Sequence, residues 1–154
     1  MTLYLVLEKR SLETPLERPL VFIEKMIRFI VDSLDGLKEV IAEQEPQASK
    51  IILLFMASID PSTGKSWCPD CRAAEPVVED ALTAWIASHT QESKTAVFVT
   101  VYVGQKPEWK DPNCVWRGEP YKLKSVPTLI VNEKEGRMEE EQLLDKNAIL
   151  KFIE

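Results

Sequence analysis

Histidine is almost missing from this chain: His89 is the single imidazole in 154 residues. That excludes multi-histidine metal centres and leaves a serine-nucleophile triad only one base to draw on. Cysteine is scarce and odd in number, with Cys68, Cys71 and Cys114, which argues against a structural disulfide framework. No apolar run approaches the ~20 residues a bilayer-spanning helix needs, so no membrane role is expected. Positive charge is outnumbered, with 19 Lys and Arg against 25 Asp and Glu and a formal net charge of −6. That balance gives no support to nucleic-acid binding. The opening segment has no basic n-region and is charged by Glu8, a poor secretory signal, so a cytoplasmic location is expected.

What is present is the composition of a globular domain, 45% apolar and 29% charged. The length suits one domain with a little to spare. Residues 1–25 are the hardest part to read. Leu3 to Leu7 is an apolar pentad, open to reading as an edge strand, a partner-binding segment or an unstructured one. Glu13 to Pro19 reads as a loop or a helix start. Pro19 to Val31 fits a helix, but Met26 to Val31 alone also fits a strand, and so short a run does not decide between them.

The pattern then clears. Asp32 or Ser33 can N-cap a helix through Gln44 that buries Leu34, Leu37, Val40 and Ile41. Ile51 to Met56 is an unbroken apolar run bounded by loop residues, the signature of a central strand buried on both faces. Residues 58–66 read as a loop. A helix opens around Cys68 and runs to about Ser88, with Val77, Val78, Ala81, Leu82, Trp85 and Ile86 on its apolar face. Thr95 to Val103 is rich in β-branched residues and reads as a second central strand. Residues 104–125 read as irregular, interrupted by Pro107, Pro112 and Pro120. Thr128 to Val131 is a strand, Glu135-Gly136 a hairpin turn, and 137–142 a polar edge strand. A last helix starts near Asp145, with Leu150 and Ile153 as core candidates. From residue 26 onward the order β-α-β-α-β-irregular-β-β-α predicts an α/β fold with a mixed central sheet flanked by helices.

Cys68-Pro69-Asp70-Cys71 is the informative motif. It follows a buried strand by one loop and opens a helix. A first helical turn has unsatisfied N–H groups and partial positive charge, which favour a thiolate over a thiol at a cysteine placed there. Pro69 falls early in the helix, where its missing N–H costs little and its fixed φ suits the turn. Two cysteines three apart on such a turn can close a disulfide. The division of labour follows: Cys68 at the helix end is the exposed nucleophile, and Cys71, one turn in and more buried, resolves the mixed disulfide. CxxC is also half of a zinc site, but a second pair is missing and Cys114 with His89 has no usual zinc spacing, so neither metal nor cofactor is expected.

The arrangement strand–Trp67-Cys68-x-x-Cys71–helix resembles the thioredoxin family. Pro76, eight residues after Cys68, resembles that family's kink proline. Val126-Pro127-Thr128 resembles its cis-proline, and Glu135-Gly136 its final hairpin turn. A closer resemblance, carried by Gly64 to Cys71, Ala74 to Val78 and Val103 to Asn113, is to the WCPDC-type branch named for thioredoxin domain-containing protein 17. It implies a thioredoxin fold over 26–154 with 1–25 as an N-terminal extension. It also implies reduction of small or selected protein disulfides, L-cystine among them, and recycling by an NADPH-dependent thioredoxin reductase. Leu54 stands where thioredoxin has a buried acid, so Asp60 and Asp70 become the candidate proton acceptors. The longer loop from Ser58 to Ser66 is expected to narrow access to the thiols.

Around the motif, Trp67 is read as a hydrophobic platform for substrate, with Pro69, Asp70, Val126 and Pro127 binding or tuning. Trp85 is read as core, and Trp109 and Trp116 as packing for the irregular segment. His89 is read as solvated, Cys114 as an ordinary thiol, and Glu139 to Glu141 as a solvated edge that discourages strand addition. The rival reading is a redox-dependent protein-binding module with little turnover.

Overall fold

The computed structural model describes residues 25–132 and 134–154, together with the backbone of a short strand at residues 2–4. Six strands form one sheet: β1 (Thr2–Tyr4), β2 (Met26–Val31), β3 (Ile51–Met56) and, numbered after a small hairpin β4 (Ile59–Asp60) and β5 (Lys65–Ser66), β6 (Ala96–Tyr102), β7 (Thr128–Val131) and β8 (Met138–Glu139). Their spatial order is β1-β2-β6-β3-β7-β8. β2, β6 and β3 run parallel, while β1, β7 and β8 are antiparallel to their neighbours. Parallel neighbours need crossovers, and these are α1 (Leu34–Gln44) and α2 (Pro69–Ser88). α3 (Lys106–Lys110) and α4 (Lys146–Ile153) complete the helices.

Burial follows the sequence pattern. All six residues of β3 are buried, as an interior strand covered on both faces must be. Ser33 is the N-cap of α1, its hydroxyl accepting from Gly36 N–H at 3.1 Å, and Leu37 and Val40 face inward. α2 turns Cys71, Ala74, Val78, Ala81, Leu82, Trp85 and Ile86 to the sheet at the three-and-four spacing of one helix face. Val77 is only half-buried. Pro76 lies inside α2, where it has no N–H to give the helix ladder. α4 packs against α2.

Several expectations change. Met26–Val31 is a strand, so its helical alternative falls; residues 19–24 and 5–7 lie outside the described residues. Thr2–Tyr4, which takes in the first two residues of the Leu3–Leu7 pentad, pairs with β2 as an edge strand. The loop 58–66 holds the β4–β5 hairpin, turned by Asp60, whose carboxylate accepts from Ser62 N–H at 2.8 Å and Ser62 Oγ at 2.6 Å, and by Gly64 at φ +68°. The edge strand at 137–142 stops after two residues. Glu140 takes φ +50°, Gln142 Oε1 accepts from Glu139 N–H at 2.8 Å, and residues 140–144 become a 3-10 helix. Ile149 rather than Leu150 joins Ile153 in the core. Residues 104–125 include α3 and a 3-10 turn at Val115–Arg117, and they bury Trp109, Trp116 and Leu123. Phe55 receives the rings of Trp116 and Tyr121 at 5.8 Å and 4.9 Å between centroids.

Candidate active site at the start of helix α2

Cys68 is the N-cap of α2 and Pro69 occupies its first turn. The cap is a sulfur: Cys68 Sγ accepts from the N–H of Cys71 at 3.4 Å. Both cysteines are free thiols. The Cys68 thiol also donates to the carbonyl of Val126 at 3.6 Å, and the Val126–Pro127 peptide bond is cis. Helix start and the entry to β7 are thus brought together from positions 58 residues apart. Cys68 retains 6% of its surface and Cys71 none, so both are buried; this corrects the expectation of an exposed outer thiol and leaves Cys68 only the less buried of the two, because it packs against the Val126 carbonyl.

Cys71 Sγ accepts from Ala57 N–H at 3.4 Å. Burial pushes its thiol well above the ordinary range, and the neighbouring Cys68 and Asp70 push the same way against the stabilising Ala57 N–H. Leu54 is 4% exposed and faces Thr100 and Leu129 across the ladder, so its register neighbours carry no carboxylate. Asp60 sits at the hairpin turn with its carboxyl held below the usual range by Ser62, while Asp70 is exposed on α2. The structure therefore brings Asp70 into the electrostatic reach of Cys71.

Trp67 is half-buried and its Nε1–H donates to Gly104 O at 3.0 Å. The same carbonyl accepts from Ser58 N–H at 3.2 Å, and Ser58 Oγ accepts from Gly104 N–H at 2.9 Å. Gln105 Nε2 donates to Ile59 O at 2.7 Å. The hairpin is therefore clasped to the segment after β6, a link with no local sequence signal. Asp70, Glu140, Glu141 and Leu144 line a cavity of about 150 Å³. Glu139 thus lies on edge strand β8 as expected, while Glu140 and Glu141, both exposed, turn away from the edge and adjoin the thiol-bearing helix. His89 is half-buried, stacked on Trp85 at 4.1 Å with Nδ1 2.8 Å from Trp85 O, which corrects its reading as solvated. Cys114 is half-buried at the start of the 3-10 turn, and Trp85, Trp109 and Trp116 are core.

A dithiol that caps the helix after a central strand, set against a carbonyl beside a cis-proline, defines a protein of the thioredoxin fold. The chain belongs to the thioredoxin domain-containing protein 17-like family, whose thioredoxin-domain model matches residues 30–154. It is similar to thioredoxin-like protein Clot of Oryza sativa, at 39% identity covering 70% of this chain and 77% of the relative. It is also similar to thioredoxin domain-containing protein 17 of Homo sapiens, at 36% identity covering 80% and 94%. A third relative, thioredoxin-like protein Clot of Arabidopsis thaliana, is 36% identical over 79% of this chain and 89% of its own length. No described helix is long and apolar enough to cross a membrane.

Proposed function

We propose that the protein is a thiol–disulfide oxidoreductase that reduces small or selected protein disulfides, cystine among them, and that an NADPH-dependent thioredoxin reductase restores its dithiol. The observation that carries this reading is the pair itself: two free thiols on one helical turn, the outer sulfur held by the Cys71 N–H and aimed at the Val126 carbonyl. Cys68 attacks one sulfur of the substrate and the other leaves as a thiol, giving a mixed disulfide. Cys71 then gives up its proton and attacks Cys68 Sγ, releasing the second substrate thiol and closing Cys68–Cys71. Two electrons pass from the pair to the substrate. The high pKa of Cys71 keeps it protonated and inert until the first step has happened.

The remaining roles follow from position. The backbone at Val126, before Pro127, aligns the mixed disulfide, Trp67 is the apolar wall for the substrate, and Pro69 starts the helix. Asp70 is favoured over Asp60 as proton acceptor for Cys71, because its charge bears on that thiol while Asp60 is occupied by Ser62. The working unit is taken as residues 26–154 with 1–25 as an extension, acting in the cytoplasm. A coupled assay with thioredoxin reductase, NADPH and cystine tests the reading: wild type should consume NADPH and Cys68→Ser should fall to background. Cys71→Ser should accumulate a mixed disulfide visible by mass spectrometry. Equal NADPH consumption by wild type and Cys68→Ser would put a redox-dependent binding module in its place.

A further inference from the structure

Two polar side chains are buried among the described residues, Ser66 at 4% exposure and Thr128 at 0%. Thr128 has a local role, its hydroxyl donating to Ser125 O at 2.8 Å in the turn before β7. Ser66 is different, because its side chain leads to both cysteines. Its Oγ accepts from Cys68 N–H at 3.3 Å and donates to Ala57 O at 3.0 Å. Ala57 in turn donates its own N–H to Cys71 Sγ. The Ser66 carbonyl accepts from Arg72 Nη1 at 2.6 Å, one residue past the pair, and Ser66 is paired with Ile59 across the hairpin. A single buried hydroxyl therefore ties the backbone of the outer cysteine to the residue that holds the sulfur of the inner one.

The two steps of disulfide reduction make unequal demands on such a tie. In the first, Cys68 meets a substrate free to turn until its S–S bond lies in line. In the second, both sulfurs belong to the protein, and Cys71 must meet Cys68 Sγ opposite the departing sulfur. Each sulfur can turn only about its own Cα–Cβ bond, so the line between them is set by where the two backbones stand, and a small misplacement costs rate. We propose that Ser66 is a positioning residue for this second step, fixing the line of approach between Cys71 and the mixed disulfide on Cys68. The inference rests on the dithiol reading above and assigns to Ser66 a role separate from nucleophile, resolving thiol and proton acceptor.

An aromatic disulfide, 5,5′-dithiobis(2-nitrobenzoate), separates the steps without any reductase or physiological substrate. All proteins carry Cys114→Ser, and one equivalent of reagent is added to the reduced protein. Attack by Cys68 forms Cys68–S–S–aryl and releases one coloured aryl thiolate in a concentration-dependent phase. Attack by Cys71, with loss of its proton to solvent or Asp70, closes the protein disulfide and releases the second aryl thiolate in a concentration-independent phase. Ser66→Ala is expected to slow the second phase about tenfold while changing the first by less than about twofold. Ser66→Thr, which keeps the hydroxyl, is expected to restore the second phase, and Ser66→Val, its isostere without one, is not. The Thr and Val pair carries the test if the alanine variant does not fold. An unchanged second phase, an equal loss in both phases, or equal rates for Thr and Val would overturn the proposal. Since closure is read whether or not cystine is turned over, failure here and failure of the reductase reading are distinct results.

Discussion

The residues before the thiol pair and Asp70, one of the two residues between its cysteines, are held in opposite ways. Ser66 and Trp67 belong to a wall of short hydrogen bonds, in which Ser58, Gly104 and Gln105 lock the hairpin to the chain after β6. Asp70 belongs to a wall of charge, sharing an open cavity with Glu140, Glu141 and the half-exposed Leu144. The first wall acts through hydrogen bonds of about 3 Å between uncharged groups, which salt screening leaves almost unchanged. The second acts through a field that salt screens. Breaking the first should therefore damage the fold as well as the site, and breaking the second should change rates while leaving stability almost alone.

The largest effect is expected at Gly104. Its φ of +102° is a conformation that side-chain-bearing residues rarely adopt. A Cβ there would lie 2.7 Å from Glu108 Oε2 and 3.1 Å from Glu108 Cβ. Swinging Glu108 away would give up the hydrogen bond its carboxylate accepts from Gln105 N–H at 2.5 Å at the start of α3, and would leave the contact at its Cβ. Gly104→Ala should cost about 2–3 kcal/mol in denaturant unfolding, through backbone strain and a loosened clasp. Trp67 should lose its partner in the same variant, seen as a shift in its fluorescence. A loss under about 0.5 kcal/mol would mean that the hydrogen-bonded wall is decoration.

Next comes the inner thiol, which belongs to the wall through Ala57. The pKa of Cys71 is raised in the folded state, above all by burial. The unfolded chain would release this proton near the ordinary thiol pKa of about 8.5, while the folded protein keeps it. Stability from this source is therefore fully present below pH ~8.5 and is lost as pH rises above it, with a slope approaching ~1.4 kcal/mol per pH unit. Reduced wild type should lose stability between pH 8.5 and 10 faster than Cys71→Ser, whose hydroxyl does not titrate there. Parallel stability curves for the two proteins would show that Cys71 is not shielded.

How much of this could be read from the sequence differs between the two walls for a physical reason. Periodicity reports burial, so β3, α1 and the inward face of α2 were visible in Ile51 to Met56, in Leu37 and Val40, and in Ala81, Leu82 and Trp85. Local chemistry reports helix starts, so Cys68-Pro69 could be placed at the beginning of α2. The clasp of Ser58, Trp67 and Gly104 joins residues up to 46 positions apart through the backbone N–H and carbonyl of Gly104, which leave no mark on side-chain pattern. Ser66 was legible only as a loop serine, since a hydroxyl in a loop gives no hint of its burial. The acidic run was legible in part: Glu139 does lie on edge strand β8, but the left-handed turn that carries Glu140 and Glu141 to the start of α2 leaves no sequence signal.

The smallest expected effect tests the charged wall alone. Glu140 and Glu141 are exposed, so replacing them should cost little stability, within about 0.5 kcal/mol. With Asp70, two residues after Cys68, they gather negative charge at the start of α2, which should slow an anionic disulfide and favour a cationic one such as cystamine. Glu140→Lys with Glu141→Lys should therefore shift the ratio of first-attack rates towards the anionic aromatic disulfide, by about threefold or more at low ionic strength. The shift should shrink towards nothing at 1 M salt, where the screening length is about 3 Å. Ser66→Ala under the same salt series should keep its defect, because a hydrogen bond buried from solvent is not screened. If the lysine variant's shift survives 1 M salt, the carboxylates act by contact, and the division between a wall of bonds and a wall of charge fails.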